Sequence, residues 1–248
     1  MVDNRDKNIQ LSAEQIGHIC HRRKGVGADG LIMIENPSSP DDGDFRMRYY
    51  NSDGHPATMC GNGGRCIVAF AHLLGITGDK CLFRADDGMH KAEIVDWDIA
   101  SRCGTVKLGM KDVATNSIKR ILDGWLLDTG VPHYVQQVDD IDAVDVRAEG
   151  RRLRHNPAMG LYGANVNFVS NAADGTLQVR TYERGVEDET WSCGTGVTAC
   201  AIATGNHKIR TRGGNFNVDF EAIGNNYCHV TLTGSVACNF TGEINTDY

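Results

Sequence analysis

No long apolar run occurs anywhere in the chain. No stretch approaches the roughly 18 consecutive apolar residues of a membrane-spanning helix, and the opening Met1-Val2-Asp3-Asn4-Arg5-Asp6-Lys7 lacks the apolar core of a signal peptide. Runs of Lys and Arg are also missing from a chain of net charge −7, so no surface suited to tracking phosphates is expected. These absences argue against membrane and nucleic-acid partners and lead to the expectation of a cytoplasmic protein. Nine cysteines are present, yet no two form a CxxC pair. Neither a zinc site nor a disulfide framework is indicated by that spacing, and most of the cysteines read as small buried hydrophobes. Nothing marks the Schiff-base lysine and phosphate cradle of a pyridoxal-phosphate enzyme, and no other cofactor or metal is expected.

What is present is ordinary for a globular protein. Hydrophobic residues make up 41% and charged residues 23%, which excludes disordered and fibrous classes. At 248 residues the chain exceeds the usual single-core size, and two packed halves are expected.

Ser12-Ala-Glu-Gln15 has the spacing of a capping box, with Ile16 and Ile19 following at helical spacing until Lys24-Gly25. Phe45, Met47 and Tyr49 alternate with Arg46, Arg48 and Tyr50, the period of a strand, which breaks at Asn51-Ser-Asp-Gly54. Cys60-Gly-Asn-Gly-Gly64 then opens a helix with Ile67, Phe70, Ala71 and Leu74 on one face and Gly75 at its end. Short strands are expected near 80–84, 92–95, 105–108 and 125–128. The same order recurs later. Leu177, Val179 and Thr181 alternate into a loop at Glu183-Arg-Gly185, and Cys193-Gly-Thr-Gly-Val197 opens a second helix that Gly205 follows. Strands near 216–221, 228–232 and 236–240 complete this half. Strand, loop, Cys-Gly-x-Gly and helix thus appear twice, an internal repeat. The expected fold is α+β, with residues 1–115 as one lobe carrying Cys60 and 116–236 as a second carrying Cys193. A terminal strand, 237–248, is expected to cross back and complete the first lobe.

A helix N-terminus carries N–H groups without helical partners and a partial positive charge, which together stabilise a thiolate or bind a carboxylate. Cys60 and Cys193 each fall at such a place. The glycines after them are expected to leave the N–H groups open to a ligand. A single Cys-Gly-x-Gly is equally the mark of a buried cysteine beside a tight turn; two copies in matching contexts favour chemistry. The chemistry that needs two such groups is inversion at a carbon of low acidity, with a thiolate removing a proton from one face and a thiol delivering one to the other. Duplicated lobes facing a central cleft supply that arrangement.

At these residues the chain resembles the diaminopimelate epimerase family. The resemblance is carried by Gly25-Val-Gly-Ala-Asp-Gly-Leu31, Tyr50-Asn-Ser-Asp-Gly54, Met59-Cys-Gly-Asn-Gly-Gly-Arg-Cys66, Pro132-His133, Asn165-Val-Asn-Phe168, Tyr182-Glu-Arg-Gly185 and Ser192-Cys-Gly-Thr-Gly196. It implies two pseudo-symmetric lobes, each a mostly antiparallel sheet around a central helix, and a cofactor-independent isomerase that interconverts LL- and meso-diaminopimelate in the cytoplasm, with a homodimer among the expected assemblies. Cys60 and Cys193 would be the acid/base pair. Gly61, Asn62, Gly194 and Thr195 would bind the reacting carboxylate, Asn51, Asn165 and Arg184 the distal end of the substrate, and Glu183 an ammonium group; His133 would support the cysteines. On residue type alone, Asn51 also suits a turn, Arg184 a solvated loop and His133 a structural role. The chain departs from the family pattern in two places. It begins just after the segment where relatives have a strand and a substrate-binding Gly-Asn-Asp-Phe-like sequence, so lower activity is expected of the chain as written than of one extended upstream. Val131 stands where many relatives carry a substrate-contacting Asn.

Two other readings remain at this point. Proline or hydroxyproline racemases also pair two cysteines but show His after the first Cys-Gly, where this chain has Asn62. A thiol redox or metal-binding protein is the alternative outside the isomerases.

Overall fold

Capping fixes where the first helix begins. In the computed structural model, which describes residues 1–246, the Ser12 side chain accepts from Gln15 N–H while the Gln15 side chain accepts from Ser12 N–H, and α1 runs Ala13–Cys20. The chain separates into two compact units, Met1–Leu108 with the segment from Val236 onward, and Gly109–Ser235.

The first unit orders its strands β1 (Val2–Asp3), β2 (Gly30–Glu35), β3 (Phe45–Asn51), β4 (Lys80–Ala85), β5 (Gly88–Asp98) and β6 (Cys103–Gly109) side by side in chain order. The β1–β2 and β3–β4 pairs are parallel, and the others antiparallel. Ile16, Ile19 and Cys20 of α1 bury against Leu31 and Met33 of β2. The helix α2 (Gly61–Leu73) packs on β2 and β5, with Ile67, Val68 and Ala71 buried.

The second unit comprises β7 (Val113–Ala114), β8 (Lys119–Ile121), β9 (Gly124–Asp128), β10 (Pro132–Gln137), α3 (Val146–Arg154), β11 (Asn165–Asn171), β12 (Leu177–Glu183), β13 (Asp188–Thr190), α4 (Gly194–Thr204), β14 (Lys208–Thr211), β15 (Gly214–Ile223) and all but the last two residues of β16 (Asn226–Ala237). The sheet runs β16-β15-β14-β12-β11-β10-β9-β8, with β13 added to β12 and β7 to β16. Parallel pairing occurs at β10–β11 and β12–β14. Helix α4 touches six of these strands, β9 to β12, β14 and β15. Its Val197, Ala199, Cys200, Ala201 and Ile202 are all buried, and the hydroxyl of the equally buried Thr198 is satisfied by Gly194 O within the helix, as a largely enclosed helix requires. The glycine that follows, Gly205, adopts the left-handed conformation that ends it.

Several expectations from the sequence are corrected. The first helix stops at Cys20 rather than Lys24, because the His21 ring accepts from Arg23 and Lys24 N–H and turns the chain away. The runs near 228–232 and 236–240 are not two strands: β16 is continuous through Gly234 and ends at Ala237. The expected terminal strand is absent from 238–246: Cys238 and Phe240 keep the alternation, but Phe240 is exposed and has no face to bury, and residues 247 and 248 lie outside the described residues. The tail is tied down instead by Cys238 N–H on Arg102 O (3.0 Å) and Gln15 Nε2 on Thr246 O (3.0 Å). The sequence-based boundary at 115/116 falls inside the second unit, which begins at Gly109. Among the described residues no helix is long and apolar enough to cross a membrane, and this says nothing of strands.

Helix α3 is held close to β12 by a missing side chain. A Cβ on Gly150 would collide with Tyr182 Cβ and Cγ. Alanine has the better helix propensity by about 1 kcal/mol, yet overpacking of this kind costs about 1–3 kcal/mol, so the collision wins. Gly150→Ala is expected to lower the urea midpoint; an unchanged or raised midpoint would show that α3 can shift freely.

Candidate functional site

The candidate residues divide between the units. Asn51, Cys60, Gly61 and Asn62 lie on the first; His133, Asn165, Glu183, Arg184, Cys193, Gly194 and Thr195 lie on the second.

In the first unit Cys60 is the N-cap of α2, with extended backbone, and its Sγ accepts from Gly63 N–H at 3.2 Å. The sulfur therefore takes the place that a Ser or Asp oxygen holds at an ordinary helix start. One turn further along, the buried Arg65 guanidinium donates from Nη1 to Gly61 O (3.0 Å) and from Nη2 to Asn62 Oδ1 (3.1 Å). Burial pushes the Arg65 pKa down, while Cys66 and Cys60 act in the opposite sense. A cation and the helix N-terminus thus bias the same short segment toward negative charge. Asn51 ends β3 in an exposed turn, where its N–H donates to His55 O and its carbonyl accepts from Gly54 N–H.

In the second unit Cys193 is the N-cap of α4, again with extended backbone. Its Sγ lies 3.4 Å from Thr195 Oγ1. That hydroxyl is 2.9 Å from His133 Nε2, and the opposite ring nitrogen, Nδ1, is 3.2 Å from Asn167 Nδ2. His133 stands fully buried on β10. Burial pushes its pKa down to about 3; Asp128 opposes the shift and Arg184 adds to it. Thr129 donates its hydroxyl to Thr195 O (2.8 Å), tying the β9–β10 turn to the start of α4. Asn165 on β11 accepts from Arg184 N–H at Oδ1 (2.8 Å) and donates from Nδ2 to Pro132 O (3.3 Å), so it braces the loop after β12. Glu183 closes β12, paired with Asp188 of β13. Arg184 donates from Nη1 to Gly163 O at 3.4 Å. Val131, in the turn whose carbonyl accepts from Thr129 N–H (3.3 Å), presents an apolar side chain and no substitute for an Asn amide.

Three glycines of the two motifs have a different role from the one expected. Gly63, Gly64 and Gly196 face protein, not an open cavity. A Cβ would meet Ile32, Cys60 Sγ and Met47 at Gly63, Leu108 and Met59 at Gly64, and Asn167 Oδ1 at 2.6 Å at Gly196. They are small because the helix starts are packed tightly. Asn167, Thr181, Thr129 and Arg65 were not anticipated from the sequence. The period-2 rule carried a signal for one of them, since Asn165 and Asn167 alternate with Val166 on one strand and so share a face. Among the described residues no three His, Cys, Asp or Glu side chains converge as a metal-ligand set.

A neutral buried histidine makes stability depend on acid. Below about pH 6.5, the ordinary histidine value, the unfolded chain takes up a proton that folded His133 refuses down to about pH 3. Its contribution is whole above that upper limit and falls as pH drops through the window, by up to about 1.4 kcal/mol per pH unit. His133→Gln is expected to flatten the fall in stability between pH 6.5 and 4 in paired urea titrations; parallel curves for the two proteins would contradict a neutral His133.

Comparison with known proteins places these residues in context. The family model described as diaminopimelate epimerase matches residues 1–110 and 125–238. A diaminopimelate epimerase from Flavobacterium psychrophilum is 44% identical, covering 94% of this chain and 91% of its own length. One from Chlorobaculum tepidum is 43% identical, over 82% of this chain and 77% of its own length. Among solved structures, a probable proline racemase from Agrobacterium radiobacter shares the fold with a TM-score of 0.68 at 18% identity, covering 93% of this chain and 81% of that one. The motif-bearing segments around both cysteines lie within the matched residues, and the chain belongs to the diaminopimelate epimerase family.

Proposed function

We propose that this protein is an isomerase that interconverts LL- and meso-diaminopimelate, with Cys60 and Cys193 as the two proton-transfer groups. The observation that carries the reading is that two helices, one in each unit, are each N-capped by the cysteine of a Cys-Gly-x-Gly motif. The two units are read as counterparts, each a largely antiparallel sheet packed about the helix that its cysteine begins. A cytoplasmic homodimer belongs to the same reading.

The chemistry follows from the weakness of the α-C–H acid. Removing that proton places negative charge on the carbanion and on the carboxylate beside it, so stabilisation must be aimed there before reaction begins. The first N–H groups of α2 and α4, at Gly61, Asn62, Gly194 and Thr195, are donors of the right kind and sign. One cysteine, as thiolate, takes the α-proton; the other, as thiol, gives its proton to the opposite face. Each turnover leaves the two sulfurs with exchanged protonation states. Thiolate and thiol together supply both proton steps, so this reading requires no cofactor. Asn51, Asn165 and Arg184 hold the distal amino-acid end, with Glu183 on an ammonium group. A substrate with two charged ends accounts for charged residues that a proline ring would leave unused.

Incubation with LL-diaminopimelate, beside L-proline, without added cofactor is the direct test. Turnover of proline alone would overturn the assignment. In heavy water the product is expected to carry deuterium from the first turnover, while remaining substrate stays largely protiated at early times. Retention of the original proton in product would instead indicate one base working on both faces. Cys60→Ala and Cys193→Ala are each expected to lose at least about 100-fold in epimerisation, the scale of a removed acid or base. Near-normal turnover by either variant would falsify the two-cysteine mechanism.

A further inference from the structure

Four side chains lead in sequence to Cys193, and their order fixes which way every hydrogen points. Asn167 is the starting point because its amide has no choice of orientation. Its Nδ2 lies 3.0 Å from Tyr134 O, which only accepts, so that atom must be the NH2 group. Its Oδ1 correspondingly accepts from the Thr181 hydroxyl at 2.9 Å. The second hydrogen of the same NH2 faces His133 Nδ1 at 3.2 Å, so Nδ1 must be an acceptor and the ring proton must sit on Nε2. At Nε2 the nearer partner is Thr195 Oγ1 at 2.9 Å; the Asn165 NH2 is farther, at 3.5 Å, and donates to Pro132 O. Thr195 therefore accepts from His133. Its own hydrogen is left for the nearest remaining acceptor, Cys193 Sγ at 3.4 Å.

We propose that Asn167, braced by Thr181, is a positioning residue for the epimerisation, locking His133 in its Nε2–H tautomer so that the Thr195 hydroxyl donates to Cys193 sulfur. This rests on the reading of Cys193 as a proton-transfer group and adds the means by which its thiolate is stabilised. No proton moves along the chain of bonds. The hydroxyl contributes a hydrogen bond that a thiolate accepts more strongly than a thiol does, which favours the charged form of Cys193. The opposite tautomer would reverse the effect, because a bare Nε2 would draw the Thr195 hydrogen to itself and leave the sulfur without that donor. Every member of the relay other than the sulfur is held by rigid structure: Tyr134 and His133 on β10, Asn167 on β11, Thr181 on β12 and Thr195 in the first turn of α4.

The test combines a tautomer measurement with a thiol titration. Long-range proton–nitrogen spectra of the labelled wild-type protein, with His133 assigned through His133→Gln, are expected to show Nδ1 unprotonated and Nε2 protonated. Peptide-resolved alkylation of Cys193 by iodoacetamide across pH is expected to shift upward by about one pH unit in Asn167→Ala and in Thr195→Val, the size of one hydrogen bond. A protonated Nδ1 in the wild type, or an alkylation profile unmoved in either folded variant, overturns the proposal. Should Asn167→Ala fail to fold, the wild-type spectrum and the nearly isosteric Thr195→Val still decide it. Failure of the wild-type protein to turn over diaminopimelate would strike the functional reading instead and leave these two measurements intact.

Discussion

The start of an α-helix concentrates N–H groups that the helix itself cannot satisfy, and both cysteine motifs are built on that shortage. At α2 the sulfur of Cys60 answers it directly, by accepting from Gly63 N–H. At α4 the sulfur of Cys193 makes no such cap and turns to Thr195 instead. The two motifs are therefore alike in backbone and unlike in how the sulfur is held. Repetition supplied the frame, and the neighbouring side chains give each cysteine its own surroundings: Arg65 near the first, the buried His133 and Thr195 near the second.

Packing explains why these helix starts are so exact in position. A Cβ at Gly63 would be tight against Ile32 and Cys60, and one at Gly64 or Gly196 would force Leu108 and Met59 or Asn167 to shift, so each helix start sits close on the residues beneath it. The α4 core of Val197, Cys200 and Ile202 against Val135, Val179 and Leu232 continues that seating inward. Interiors packed to this density resist sub-ångström displacement, which is the tolerance that proton transfer between heavy atoms demands.

Much of this was legible in the sequence, for reasons that can be named. The capping box at Ser12, the strand period at Phe45–Tyr50 and the two Cys-Gly-x-Gly helix starts are local signals, and local signals survive folding unless tertiary contacts override them. The strand β2 was missed because Leu31-Ile-Met-Ile34 is apolar throughout and has no alternation to read, being buried on both faces. Helix α3 was missed because its charged sequence shows only Val146 and Leu153 to the core, with Gly150 between them. The buried polar network was legible only in part. Asn165, His133 and Thr195 sit in recognisable motifs, but Thr181 joins them across the β11–β12 pair and Thr129 through a bond from the β9–β10 turn to the start of α4, and no motif marks either residue.

The buried imidazole has one further consequence, for the charge of the site through a catalytic cycle. A base that stays neutral down to about pH 3 cannot act as a proton store at physiological pH. On the proposed two-cysteine reading, a proton arriving at Cys193 finds no store in the ring between Asn167 and Thr195. Heat measured on substrate binding at neutral pH would accordingly carry no contribution from His133 that depends on the ionisation enthalpy of the buffer.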